Sequence, residues 1–177
     1  MELKAEATVH QPRDAVFRVY RDELLHLVPF LPSVRGIEME SRKDEGDHTR
    51  LVNVWHGGGE VPAAVRAFLS SSMLSWTDYA DWNASDFTCT WRSESHSFKD
   101  AVDSTGVNHF VEAGANRSTI LIGGRIDVDA SKIPGVPRLL AGKVGPMIER
   151  FLAKQVQDNL QEVARGVDRY LRERESR

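Results

Sequence analysis

Residues 145–172 read GPMIERFLAKQVQDNLQEVARGVDRYLR. From Val144 onward, Met147, Ile148, Phe151, Leu152, Val156, Leu160, Val163, Val167, Tyr170 and Leu171 recur every three or four residues, so side chains along the whole stretch share one face. At 1.5 Å per residue, a helix over 145–172 is about 42 Å long. Its last turns carry Arg165, Arg169, Arg172 and Arg174, whose charge complements the negative end of the helix dipole. A helix this long with one unbroken apolar stripe needs a comparably long surface to bury it.

That surface lies upstream, before the loop Pro134-Gly135-Val136-Pro137. Residues 2–9 alternate, with Leu3, Ala5, Ala7 and Val9 on one face, as in a half-buried strand. At Pro12 the period becomes helical and holds over 10–33, until Pro29 and Pro32 stop it. From Val34 to Val128 the pattern is mostly strand. Ile37 and Met39 lead to a turn at Asp44-Glu45-Gly46-Asp47, and Leu51 to His56 returns. Pro62 to Leu69 is predicted as a short helix. Trp76, Asp78, Ala80 and Trp82 share a strand face, and Phe87, Cys89 and Trp91 share another. Two long strands, 98–113 and 117–129, follow.

The chain has 177 residues and a net charge of −3, with 41% hydrophobic and 28% charged residues. One domain over 1–177 is expected, large enough for a real core. The slightly acidic balance excludes nucleic acid as the main partner. The single cysteine, Cys89, excludes an internal disulfide. The first residues lack the apolar run of a signal peptide and nothing is long enough to span a membrane, so a cytoplasmic location is expected.

Strands and helices kept apart in sequence point to an α+β class, with an antiparallel sheet of about seven strands in the order β-α-α-β6-α. Only the C-terminal helix is long enough to cover one face of that sheet. A curved sheet around one helix leaves space between them, the kind of apolar cavity small ligands use. With this order, with Pro12-Arg13-Asp14-Ala15-Val16-Phe17 opening the first helix, and with the amphipathic C-terminal helix, the chain resembles the helix-grip or SRPBCC superfamily over nearly its whole length. That superfamily includes START-type lipid-transfer domains, birch-pollen-allergen-like proteins, polyketide cyclases and aromatases, and coenzyme Q-binding proteins. The stretch from Val61 to Trp82, with Gly142-Lys143-Val144-Gly145 through Phe151, is similar to a bacterial branch of it. The resemblance implies a fold and a cavity; it does not carry one activity.

No sharp catalytic motif accompanies this pattern. His56-Gly57-Gly58-Gly59 resembles an esterase oxyanion loop, but no G-x-S-x-G elbow follows. The histidines at 10, 26, 48, 56, 96 and 109 show no metal-binding spacing, so neither a metal nor a cofactor is expected. Trp55, Trp76, Trp82, Trp91, Phe110, Ile122, Phe151 and Leu152 are the candidate apolar lining of the cavity, with Asp78, Arg92 and His109 as polar anchors. An inward Asp78 requires a partner, either Arg92 or a ligand group, whereas a slight change of register leaves it in solvent. Residues 133–143, apolar and flanked by Arg138 and Lys143, suit either packing on the sheet or transient membrane contact.

Three functions fit this reading. The first is binding, and with it transport or sequestration, of a hydrophobic lipid, isoprenoid or polyketide. The second is a polyketide cyclase or aromatase, with His109, His96, Tyr79 or Asp78 as general base. The third is a protein-interaction module on the same fold.

Overall fold

A computed structural model describes residues 1–58, 60–61, 63 and 66–175. Strand β1 (Glu2–Val9) leads into helix α1 (Arg13–Asp22) and a 3-10 segment (Leu24–Phe30). Strands β2 (Val34–Glu45), β3 (His48–Gly57), β4 (Ser75–Asn83), β5 (Thr88–Ser95), β6 (Val102–Gly114) and β7 (Arg117–Val128) follow, and helix α2 (Arg138–Glu175) ends the chain. The seven strands form one antiparallel sheet in the order β1-β7-β6-β5-β4-β3-β2. This is the expected α+β helix-grip architecture.

Period-two alternation decides which side chains face α2. Leu51 and Trp55 of β3, Ala80 and Trp82 of β4, Cys89 and Trp91 of β5, and Phe110 of β6 point inward and are buried. Two devices curve the sheet. Strand β2 carries register shifts between Val34 and Gly36 and between Met39 and Ser41, and such bulges bend a strand. Gly106 and Gly124 stand opposite one another in β6 and β7. A Cβ on Gly106 would lie 2.4 Å from Cζ2 of Trp91, and one on Gly124 would lie 2.4 Å from the Thr105 carbonyl oxygen. Only glycine admits this close approach of indole and backbone.

α2 is fastened to the concave face by polar contacts as well as by its stripe. Gln157 and Gln161 donate to the Lys4 and Glu6 carbonyls, occupying the free edge of β1. The Glu162 carboxylate accepts from the Ser33 backbone N–H at 3.1 Å and from its hydroxyl at 2.6 Å. The helix starts at Arg138, seven residues before the expected start, and runs through Pro146. Pro146 lies in the third turn, where it removes the backbone donor to the Gly142 carbonyl.

The core divides in two. The larger cluster lies under α1 and the C-terminal half of α2, and includes Phe17, Trp82 and Phe110. The smaller one gathers Leu69, Ala130, Ile133, Val136, Val144, Ile148 and Phe151.

Candidate functional site: the cavity between sheet and helix

A cavity of about 220 Å³ lies between these clusters, bounded by the sheet and α2. Tyr20, Leu24 and Trp82 stand toward one end, and Leu69, Phe98, Ile133 and Ile148 toward the other. All four tryptophans line it. Trp55 and Trp76 are cross-strand partners whose rings stack at 5.6 Å and 10°. The Trp91 indole donates to Asn108 Oδ1 at 2.9 Å, which fixes its ring across Gly106. Trp82 is wedged edge-on against Phe17 and Tyr20.

Of the expected site residues, Trp55, Trp76, Asp78, Trp82, Trp91, Ile122 and Leu152 meet at this cavity, and four others do not. Arg92 and His109 are exposed, because alternation in β5 and β6 sends Trp91, Ser93, Asn108 and Phe110 inward and their neighbours outward. The Arg92 guanidinium lies over the Tyr79 ring at 4.4 Å on the outer face and pairs with Glu94 at 3.4 Å, so it is no partner for Asp78. Phe110 is buried behind the wall, against Phe17, Tyr20 and Trp82. Phe151 is one helical step from Leu152, a rotation that turns it into the smaller core cluster. The exposed His96 bonds the Thr77 hydroxyl at 2.8 Å. Among the described residues no group of His, Cys, Asp and Glu side chains is arranged to hold a metal ion.

Much of the polar wall was missed in the sequence reading, including Tyr20, Asn53, Ser93, Ser104, Asn108, Gln155 and Asn159. Five buried side-chain polar atoms have no hydrogen-bond partner among the described residues. Four of them, Asn53 Oδ1, Trp55 Nε1, Trp82 Nε1 and Asn159 Oδ1, belong to cavity-lining residues. Orphaned buried polar atoms are uncommon, and here four of the five belong to residues around the cavity.

Asp78 is the centre of this wall. Its remaining accessible surface opens onto the cavity, and burial pushes its carboxyl up to about 7. Burial, and then the neighbouring acidic groups Cys89 and Asp78, raises the Tyr20 hydroxyl. The Cys89 thiol is driven well above its ordinary range, chiefly by burial and then by Asp78 and Asp81. A thiol so held is neutral and unreactive, in keeping with a packing role.

No model of a known protein family matches the chain, and no curated protein matches it. Solved structures do. A protein from Thermus thermophilus is 18% identical with a TM-score of 0.65, over 94% of this chain and 97% of that one. The Zhui aromatase/cyclase from Streptomyces sp. R1128 is 16% identical with a TM-score of 0.67, over 97% and 95%. A START superfamily protein from Mycobacterium smegmatis is 12% identical with a TM-score of 0.57, over 97% of each chain. At these identities the likeness is one of fold, and on it, together with the curved seven-stranded sheet and its long covering helix, the chain has the SRPBCC/START-like helix-grip fold.

Proposed function

We propose that the protein binds a small, largely apolar organic molecule in the cavity between the sheet and α2. The observation that carries this reading is the cavity itself, an interior space of about 220 Å³ lined largely by apolar side chains, four indoles among them, with Asp78 in its wall. Apolar surface supplies the attraction, and the polar atoms orient the molecule. Since an apolar cavity of roughly 150 Å³ holds benzene, the 220 Å³ here suits one or two rings or a short isoprenoid chain. A diacyl lipid or a complete multi-ring polyketide requires the cavity to open.

Transport or sequestration would be the consequence. Residues 133–143 suit loading from a membrane, with Leu139 96% exposed and Leu140 43% exposed between Arg138 and Lys143. No helix among the described residues is long and apolar enough to cross a membrane, so contact there would be peripheral.

The test is native mass spectrometry of the purified protein with organic extraction of what is released, followed by titration with an apolar fluorescent probe. A stoichiometric adduct, or probe binding that Trp76→Ala weakens, supports the reading. Absence of both an adduct and saturable probe binding overturns it.

A cyclase or aromatase role is favoured by one observation, the Asp78 carboxyl held near neutrality inside the cavity, where a general acid or base works best. With His96, His109 and Tyr79 outside, the proton transfer would fall to Asp78. Unchanged turnover of a supplied polyketide by Asp78→Asn removes this second reading. A protein-interaction module with a filled, vestigial interior fits less well, because the interior keeps a cavity of about 220 Å³.

A further inference from the structure

The polar residues of the cavity wall are aligned. Asn53 of β3 stands opposite Asp78 of β4, Asp78 opposite Ser93 of β5, and Ser93 opposite Ser104 of β6. They make one polar row across four strands, within a wall that also carries four indoles. Across the cavity, α2 presents Gln155 and Asn159, four residues apart on the same face. No side-chain hydrogen bond or ion pair is made by Asp78 among the described residues, and none of the lining residues is a lysine, arginine or histidine. Elsewhere carboxylates find cations readily, as Asp22 does with Arg21 and Arg42, and Glu94 with Lys99.

From this placement we infer that the cavity takes an organic cation, a protonated amine carried on an aromatic or compact apolar body, whose nitrogen pairs with Asp78. The inference rests on the reading of the cavity as a binding site. An ammonium supplies what the row lacks. It provides the missing countercharge for the carboxylate, and its further N–H groups suit the polar row that Asn53, Ser93 and Ser104 make with Asp78. The indole faces of the wall attract the same positive charge, more strongly once water is excluded. A neutral hydrocarbon would leave the carboxylate unsatisfied, and an anion would be repelled by Asp78.

The titratable groups facing the cavity are Tyr20 from α1, Asp78 from β4 and Cys89 from β5; α2 contributes none. Tyr20 and Cys89 are both raised and remain neutral near pH 7, so Asp78 governs the pH response there. A cation needs Asp78 ionised and therefore binds better as pH rises. A neutral ligand that accepts a proton from the carboxyl group does the reverse.

The test uses 1-naphthylmethylamine and its uncharged isostere 1-ethylnaphthalene, titrated into the full chain between pH 5.5 and pH 8. The amine is expected to bind at least about tenfold more tightly at pH 8. With the carboxyl pushed up to about 7, its affinity should rise up to about 30-fold across the range, while that of the hydrocarbon stays flat. Asp78→Asn should abolish both the preference and the pH response while retaining hydrocarbon binding. Equal binding of the two probes, or amine affinity that falls as pH rises, overturns the cation and leaves the binding site standing. If neither probe binds, the binding reading itself fails and the inference with it.

Discussion

Replacing Asp78 by asparagine should stabilise the unliganded protein, and the gain should grow with pH. The carboxyl is pushed up to about 7 in the folded state against an ordinary value of 3.8. A raised carboxyl binds a proton more tightly when folded than when unfolded. Stability is therefore highest below the unfolded value, falls as pH rises from about 4 through about 7, and levels off above. Three pH units at 1.36 kcal/mol each make about 4 kcal/mol when the loss is complete, and water reaching the carboxylate through the cavity lowers this to about 2–4 kcal/mol. Asparagine keeps the volume and removes the charge. At roughly 2–4 °C per kcal/mol for a chain of this size, Asp78→Asn should melt about 5–15 °C above the natural protein at pH 8, and close to it at pH 4.5. Thermal unfolding of both proteins at half-unit steps gives the difference curve, in which all other groups cancel. Carboxylates lowered by ion pairs, such as Asp22 and Asp44, act in the opposite sense and at lower pH, where their stabilisation is lost on acidification. A flat difference curve, or one that falls with pH, refutes the claim that Asp78 is buried without a partner.

Gly106→Ala should cost about 2–4 kcal/mol, since its Cβ would meet the Trp91 ring and the Gly123 carbonyl at 2.4 and 2.6 Å; urea denaturation measures the loss, and a shifted tryptophan near-ultraviolet signal reports the displaced ring. Glu162→Ala removes both acceptors of Ser33 and should destabilise by about 1–3 kcal/mol, whereas Glu162→Gln should retain part of that contribution. Leu139→Glu should leave the melting temperature within about 1–2 °C, because the side chain is 96% exposed. The same change should reduce co-sedimentation with vesicles of mixed zwitterionic and anionic phospholipid if residues 133–143 touch membranes, and undiminished sedimentation removes that role.

Sequence periodicity carried the architecture because each element is long relative to its errors. The α2 stripe and the inward row Trp76, Asp78, Ala80 and Trp82 survive a shift of several residues at either end. Boundaries set by local hydrogen bonding were less readable. Phe87 continues the alternation of Cys89 and Trp91, yet its φ of 55° puts it in the turn, where Asn83 accepts from the Ser85 N–H and draws the chain round. The strand expected from residue 98 begins at Val102, because Ala101 and Val102 both donate to the Phe98 carbonyl in a turn. Of the helix expected over 62–69, residues 66–68 form a turn, and Pro62, Ala64 and Val65 lie outside the described residues.

The site was legible only where a residue is chemically conspicuous. Tryptophans and a lone aspartate attract notice, whereas Asn53, Ser93 and Ser104 belong to the commonest polar types and lie 40 and 11 residues apart along the chain. They become a row only through pairing register, which period-two alternation leaves open: it fixes the face of a side chain but not its neighbour in the next strand. Alternation held one usable signal. Asn53 sits at an inward position between Leu51 and Trp55, and Gln155 and Asn159 lie on the cavity side of the α2 stripe beside Val156 and Leu160. A polar residue in an apolar row must be satisfied by something. Gln157 and Gln161, on another face of the same helix, are satisfied by β1. Asn53 and Asn159 line the cavity, and their oxygens have no partner among the described residues.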